Sequence, residues 1–246
     1  MHRTGELYGH FQTLDQQKDS ATLGMWIFLA TEILFFGGLF LTYAVNRHAY
    51  FTAFGVGGNM LDLRLGAANT VVLIASSFTM AMSVWSAQTN RKKLLPVCLI
   101  LTLALGCVFL GIKYVEYKQK FDHHLIPGTI FGTFDISYRM NHPAPDDSPA
   151  EIAAEKKEVE EGLAVDPYLN SHAQLYFSLY FGMTGLHALH MIIGAGLLIW
   201  LIQQSFKGRY GSEYNNPVEN VGLYWHFVDI VWIYLFALLY LINRHP

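Results

Sequence analysis

The chain alternates between long apolar stretches and short polar ones, and this pattern predicts its elements. Five apolar stretches are long enough to cross a hydrocarbon core of about 30 Å as helices: residues 24–44, 67–87, 94–112, 173–202 and 221–242. Between them, the pattern predicts a polar surface tail at 1–22, a loop at 46–65 that dips along the interface, and a very short basic turn at 91–93. We therefore predict an all-α membrane protein that is a bundle of five transmembrane helices.

Residues 121–172 break the pattern and separate helices 1–3 (23–120) from helices 4–5 (173–246). This stretch holds five of the eight prolines, and between Asp122 and Asp166 it carries ten acids against three basic residues. It is predicted to be an extramembrane insertion. Ser148-Pro149-Ala150-Glu151 has the form of a capping box, and Gly162 could end the helix, which predicts about three turns. The acidic surface is either a solvated cover or an electrostatic docking site.

Composition supports the membrane class. The chain is 52% hydrophobic and only 14% charged, well below the roughly 25% charged share of soluble domains. A net charge of −3, with no basic stripe, excludes nucleic acid as a partner. The two cysteines, Cys98 and Cys107, fall on opposite sides of one predicted helix, so they form neither a disulfide with each other nor a metal site alone.

A few polar residues lie inside the apolar stretches: Glu32, His187, His190, His226 and Asp229. A charged residue near the bilayer centre costs roughly 2.5–3.5 kcal/mol, so such residues face protein or water. Glu32 and Asp229 fall at similar depths in their helices, and both histidines of the fourth stretch fall near its middle. We predict that these four share one layer and that at least two of them pair across helices. His226 and Asp229 lie three positions apart on one helix and could touch.

Three chemical interpretations of this layer compete. The first is haem or metal ligation by His187, His190 and His226, although no second histidine pair faces them at the opposite depth. The second is proton handling by Glu32, which has Phe28, Phe35 and Phe36 as neighbours in sequence. The third is structural: polar groups satisfy one another and pin helices together. For His226 and Asp229 the residues leave open a structural pin or a role in proton or ion movement.

Several segments match a known family in the right order: Leu23–Gly38 with Glu32, Ala68–Ser77, Glu116-Tyr117, Gly185–Gly194 with His187 and His190, and Tyr224–Trp232. The chain resembles subunit III of the haem–copper oxidases, the cytochrome c oxidase family. Relative to mitochondrial-type members, it lacks the first two of seven spans. Gly185-Leu186 replaces the common residues before the histidine, Gln203-Gln204 stands where those relatives carry an arginine that meets lipid phosphate, and the insertion is unusually long.

The resemblance implies an accessory subunit without catalytic residues, metal or redox cofactor, with haem and copper in its partners. Such a subunit packs with subunits I and II, binds phospholipid, sustains proton uptake and protects the enzyme during turnover. Trp26, Tyr43, Lys207 and Glu219 are the implied lipid-binding residues. The implied place is the bacterial inner membrane, with the N-terminus cytoplasmic and the C-terminus and insertion outside, where the insertion could meet a cytochrome c domain or another respiratory complex.

Basic residues give a second indication of orientation. Seven Lys and Arg fall on the side of the N-terminus and nine on the other, but the rule applies to short loops, and the Arg91-Lys92-Lys93 turn favours the N-terminus inside. Two alternatives to a cytochrome c oxidase subunit remain: a quinol oxidase or nitric oxide reductase-associated homologue, or a free-standing membrane transporter or proton channel.

Overall fold

A computed structural model describes residues 11–122, 125–127 and 148–242. Its helices are α1 (Leu14–Ala49), α2 (Phe51–Asn59), α3 (Leu63–Gln88), α4 (Leu94–Asp122), α5 (Pro149–Val165), α6 (Leu169–Phe206) and α7 (Asn216–Phe236), followed by a π-helical turn at Ala237–Leu241. Five are long and apolar enough to cross a membrane, namely α1, α3, α4, α6, and α7 with the π-turn. The five predicted spans are confirmed.

The ends of the long helices differ from the prediction. The first helix begins at Leu14, so residues 14–22 are helical and are not part of an irregular tail. The Thr13 hydroxyl accepts a hydrogen bond from the Gln16 N–H at 3.1 Å, which caps the helix at its start. The third helix also extends beyond the apolar stretch at 94–112, because α4 continues through Lys113 and Glu116 to Asp122.

The predicted loop at 46–65 contains a helix. Residues Phe51–Asn59 form α2, in which Ala53, Phe54 and Val56 are buried. The glycines of this segment indicated a loop, but Gly57 lies directly against the Tyr176 ring, where a Cβ atom would meet a ring carbon at 2.5 Å. Close packing on a large aromatic side chain therefore makes a glycine-rich sequence helical here.

The helix of the insertion is longer than predicted. Pro149 is its first residue, as expected, but α5 runs for 17 residues to Val165, close to five turns, and passes through Gly162. A Cβ atom at Gly162 would lie 3.1 Å from the Leu169 side chain and 3.4 Å from that of Val56, so this glycine serves packing instead of ending the helix. The Glu151 side chain of the predicted capping box and residues 128–147 of the insertion lie outside the described residues.

The chain divides into two compact units. The first comprises residues 1–36, 70–110 and 187–232, and the second comprises 37–69, 111–186 and 233–246. Trp225 and Trp232 are among the largest buried side chains of the first unit, and Tyr43, Tyr176, Tyr180 and Tyr240 are among those of the second. The long helices differ in how much of their most apolar 18-residue stretch is buried. The buried share is 11% in α1 and 50% in α7 with the π-turn. The last helix is therefore the most enclosed and the first the least.

One of the glycines of α6 brings two helices together. In α6, a Cβ atom at Gly194 would lie 2.9 Å from the Trp225 ring, so this glycine allows close approach. Gly182, Gly185 and Gly196 have nothing within 4 Å of such an atom, so the described residues do not cover α6 at those three positions.

Candidate functional site

The first unit joins α1 and α6 through a carboxyl and an imidazole. His190 Nε2 lies 3.2 Å from Glu32 Oε2, and 19% of the Glu32 side chain and 13% of the His190 side chain are exposed. The predicted pairing across helices is therefore present for these two residues. A carboxyl and an imidazole are side-chain types that proteins commonly use to transfer protons, and here the two groups are in direct contact.

Neighbouring side chains fix the pair. The Phe36 ring packs edge-on against the His190 ring with the centroids 5.3 Å apart. The Tyr224 hydroxyl of α7 donates to the His190 carbonyl oxygen at 2.8 Å. The imidazole is thus packed against α1, while α7 holds the His190 backbone.

His187 lies one turn earlier on α6 in a different environment. It is 1% exposed, and its ring packs between Phe109 and Trp232, with centroid distances of 5.4 and 5.3 Å. Those two rings meet edge-on at 4.8 Å. An aromatic core therefore holds His187, while His190 meets the acid.

His226 and Asp229 do not bond to each other, and the expected contact between them was wrong. His226 Nδ1 lies 2.7 Å from the Ser77 hydroxyl of α3. Asp229 is 4% exposed, and Ser77 interacts with its carboxyl, although neither carboxyl oxygen makes a hydrogen bond of ordinary geometry with the described residues. The Ser77 hydroxyl therefore links α3 to His226 of α7.

The three histidines considered as metal or haem ligands have separate neighbours: aromatic rings for His187, Glu32 for His190 and Ser77 for His226. In the ranges that the structure describes, no three His, Cys, Asp or Glu side chains form a group that could hold a metal ion. The geometry brings His190 into an acid–base pair and does not bring the three imidazoles into one ligand set.

The four residues implied in lipid binding have different environments. Trp26 is 54% exposed, and Lys207 is exposed at the end of α6. Glu219 accepts a hydrogen bond from the Gln88 amide at 2.7 Å. Tyr43 is fully buried, and its hydroxyl donates to the Leu238 carbonyl oxygen at 2.8 Å. Tyr43 therefore offers no surface to a lipid, and its assignment is corrected.

A buried group of charged residues in the second unit was missed from the sequence. Lys113 and Glu116 are 4% and 0% exposed, and Lys113 Nζ lies 2.8 Å from Glu116 Oε2. In the sequence they follow the apolar stretch at 94–112, and charges in that position usually mark the polar end of a span. Their opposite signs at a spacing of three on a helix were the signal that they could neutralise each other within it.

Most of the chain matches a known protein family. The family model described as cytochrome c oxidase subunit III matches residues 1–137 and 166–244. The chain belongs to this family. It is an integral membrane protein, subunit III of a haem–copper terminal oxidase. The family match leaves out residues 138–165, which contain α5.

Curated relatives of both oxidase types are similar along most of their length. A probable quinol oxidase subunit 3 from Staphylococcus haemolyticus is 31% identical over 223 residues, which cover 90% of this chain and 88% of the relative. Cytochrome c oxidase subunit 3 from Thermostichus vulcanus is 28% identical over 230 residues, covering 93% and 90%. A probable quinol oxidase subunit 3 from Staphylococcus aureus is 28% identical over 222 residues, covering 90% and 88%.

Proposed function

We propose that this chain is an accessory, non-redox subunit that packs against subunits I and II of a proton-pumping cytochrome c oxidase, and that the Glu32–His190 pair supports proton uptake. The observation that carries the proposal is the 3.2 Å contact between a carboxyl and an imidazole in the membrane-spanning part of the chain. Glu32 belongs to α1, the least buried of the long helices. Its neighbours Ile33, Leu34 and Phe35 are 58%, 77% and 47% exposed.

An apolar face so exposed needs lipid or another subunit to cover it. A proton-exchanging pair beside that face would lie close to whatever covers it. If subunit I covers it, the pair can buffer protons for the uptake path of subunit I while carrying no redox centre. A carboxyl–imidazole pair suits this task because each of the two groups can accept and donate a proton.

The assignment is tested by purifying the oxidase through an affinity tag on this subunit. We expect large subunits with haem absorbance to accompany it, and oxygen consumption to be coupled to proton release. A colourless protein that purifies alone and moves ions in liposomes would instead support the transporter alternative.

The electron donor is tested on the same preparation. Relatives named for cytochrome c and for quinol are about equally similar, and we propose cytochrome c. Rapid oxidation of reduced cytochrome c, with slow oxidation of quinol, is the expected result. The reverse preference would make the complex a quinol oxidase.

We further propose that anionic phospholipid binds at the N-terminal end of the first unit. A cavity of about 420 Å³ lies there, with Phe11, Ala21 and Pro217 among its apolar lining and Lys18, Asn216 and Asn220 among its polar lining. The polar side chains suit a headgroup and the apolar ones suit the first carbons of the chains. Lys207 and Trp26 are additional candidates. Lipid analysis of the purified complex with Lys18→Ala tests this site, since it should lose anionic phospholipid relative to Lys157→Ala.

The basic turn between α3 and α4 supports one orientation of the chain in the membrane. Arg91, Lys92 and Lys93 are exposed in a short turn, and the Arg91 guanidinium lies 4.3 Å from the centroid of the Trp85 ring, as expected for a basic turn at an interface with anionic lipid. We propose that this turn and the N-terminus are cytoplasmic, in a bacterial inner membrane. The acidic insertion would then face outward, where it could meet a cytochrome c domain or another respiratory complex. Loss of such a partner after deletion of residues 135–165 would support that role.

A further inference from the structure

The ion pair of α4 in the second unit has two tyrosine partners. The Tyr180 hydroxyl of α6 donates to Glu116 Oε1 at 2.8 Å, and the Tyr240 hydroxyl donates to the same oxygen. Lys113 Nζ donates to Glu116 Oε2 at 2.8 Å, to Tyr180 at 3.2 Å and to Tyr240 at 3.1 Å. We call these four residues the ionic cluster. It joins α4, α6 and the π-turn after α7.

The hydrogen-bonding capacity of the charged groups is well matched. An ammonium group has three donors, and each of the three contacts of Lys113 uses one. Both carboxyl oxygens of Glu116 accept. Buried charges are tolerated only with such partners, and removing one member of a pair leaves the other uncompensated. The cluster is therefore stable as a whole and sensitive to the loss of any charged member.

Tyr240 reaches the cluster from a π-helical turn. The Ile242 N–H donates to the Ala237 carbonyl oxygen at 3.1 Å, five positions back, which is the bond that defines this geometry. The extra residue in the turn changes the direction of every side chain in it. Successive side chains of an ordinary α-helix differ in direction by about 100°. Without the extra residue of the π-turn, the Tyr240 side chain would therefore be rotated by about 100°, and its hydroxyl would no longer reach Glu116.

Further side chains hold the carbonyl groups of this turn. Tyr43 donates to Leu238 O at 2.8 Å and Tyr176 to Leu239 O at 3.2 Å. The Arg47 guanidinium donates to Ile242 O at 3.0 Å. The Tyr240 ring also lies over Gly66, where a Cβ atom would meet it at 2.9 Å. The turn is thus bonded on its backbone by α1 and α6 and on its side chain by the ionic cluster.

We propose that the ionic cluster is a conformational latch that holds the end of the last helix in its π-helical register. In this role Lys113 and Glu116 are positioning residues that act through Tyr240. Loss of either charge releases Tyr240, and residues 237–242 then return to α-helical register or fray. Apolar packing alone does not require this register, because the sequence Ala-Leu-Leu-Tyr-Leu has no proline or glycine that would force it.

A second buried cation extends the latch to α2. Lys120 lies on the same face of α4, is 7% exposed and donates to the Met60 carbonyl oxygen, just beyond the end of α2. The acids that act on it are Glu116, Glu155 and Asp62. One face of α4 therefore contacts the π-turn through Lys113 and Glu116, and the segment after α2 through Lys120 further along the helix.

The test measures hydrogen exchange of the peptide that covers residues 236–242 in the purified intact oxidase. Lys113→Met and Glu116→Gln should each accelerate exchange at least about tenfold, because each leaves a buried charge or its partners unmatched. The double variant Lys113→Met/Glu116→Gln leaves no buried charge unmatched but still removes the groups that hold Tyr240, so exchange should stay at least about threefold above the native rate. Tyr240→Phe keeps the ring and removes the hydroxyl, so it should accelerate exchange without loss of folding.

The matched control is the exposed ion pair Lys157–Glu161, at 3.7 Å on α5. Lys157→Met/Glu161→Gln should leave exchange at 236–242 unchanged, as should its two single variants. Unchanged exchange in Tyr240→Phe would overturn the proposal. So would a double variant of Lys113 and Glu116 that exchanges at the native rate, since the two charges would then not be what holds the turn.

Discussion

His190 on α6 and Glu32 on α1 place an imidazole nitrogen and a carboxyl oxygen 3.2 Å apart in the membrane-spanning part of the chain. The two residues are 158 positions apart in sequence. The contact therefore fixes the first long helix against the fourth. It also gives a direct way to separate a proton role from a structural one.

Glu32→Gln should lower oxygen turnover, or the number of turnovers before inactivation, severalfold, while haem content stays constant. The amide keeps the size of the side chain and its hydrogen-bonding capacity but does not exchange protons near neutral pH. Turnover and haem spectra of the purified oxidase measure the two quantities. Glu213→Gln in the exposed loop before α7 is the control. If Glu32→Ala retains native turnover and lifetime over prolonged reaction, Glu32 is structural only.

Ser77→Ala should destabilise the subunit by about 1–3 kcal/mol, because His226 loses its hydrogen-bonding partner in a largely buried place. Asp229→Asn should cost less, since its carboxyl oxygens make no hydrogen bond of ordinary geometry with the described residues. Thermal unfolding of the purified complex checks the order of the two effects. Ser178→Ala is the control, because that exposed hydroxyl donates to the Gln174 carbonyl oxygen in its own helix. A larger loss with Asp229→Asn would contradict this account of the pin.

Gly194→Ala and Gly196→Ala form a matched pair on α6. The first introduces a Cβ atom 2.9 Å from the Trp225 ring and should destabilise by about 1–3 kcal/mol. The second meets nothing within 4 Å and should be neutral or stabilise by roughly 0.5–1 kcal/mol, because alanine favours the helix. Thermal unfolding of both variants tests the prediction, and equal losses would refute the packing argument.

The contact between α5 and α2 should weaken as the pH rises. Burial raises the pKa of Glu158 above its usual 4.5, against the opposing effect of the Asn59 amide, which donates to its carboxyl at 2.6 Å. The folded chain therefore binds this proton more tightly than the unfolded chain. Its contribution to stability is complete below the unfolded pKa and is lost as the pH rises through the higher, folded pKa.

Limited proteolysis of α5 between pH 4 and pH 8 measures this effect, with rates corrected for the protease's own pH dependence. Cleavage in the native chain should increase with pH, and Glu158→Gln should remove the increase. Glu160→Gln, at an exposed position of the same helix, should leave it in place. A native chain that is cleaved at one rate over the whole range would show that Glu158 does not control the docking of α5.

The sequence predicted features that depend on one helix at a time. The length of apolar stretches predicted the five spans, and depth along a helix predicted that Glu32 could meet a histidine. Features that depend on a neighbouring helix were missed. Ser77 is the hydrogen-bonding partner of His226, and nothing in the spacing of His226 and Asp229 indicates a serine from α3.

The ionic cluster and the π-turn show the same limit. Lys113 and Glu116 were interpreted as the end of a span because a lone charge in an apolar stretch is costly. The cost of burying these charges is offset by hydrogen bonds from Tyr180 and Tyr240, which lie 64 and 124 positions after Glu116 in the sequence. The π-turn follows from those contacts, so no local residue marks it.

Helix α1 has a further consequence, for the order in which the chain is assembled. Its polar contacts reach His190, Asn216, Leu238 and Ile242, over separations of 158 to 198 residues. During synthesis, α1 is made before all of these partners. It meets His190 only once α6 is made, and the other three only once the last helix and the turn after it are made. Until then a largely uncovered helix depends on lipid or on another protein to hold it, so α1 is docked well after it is inserted.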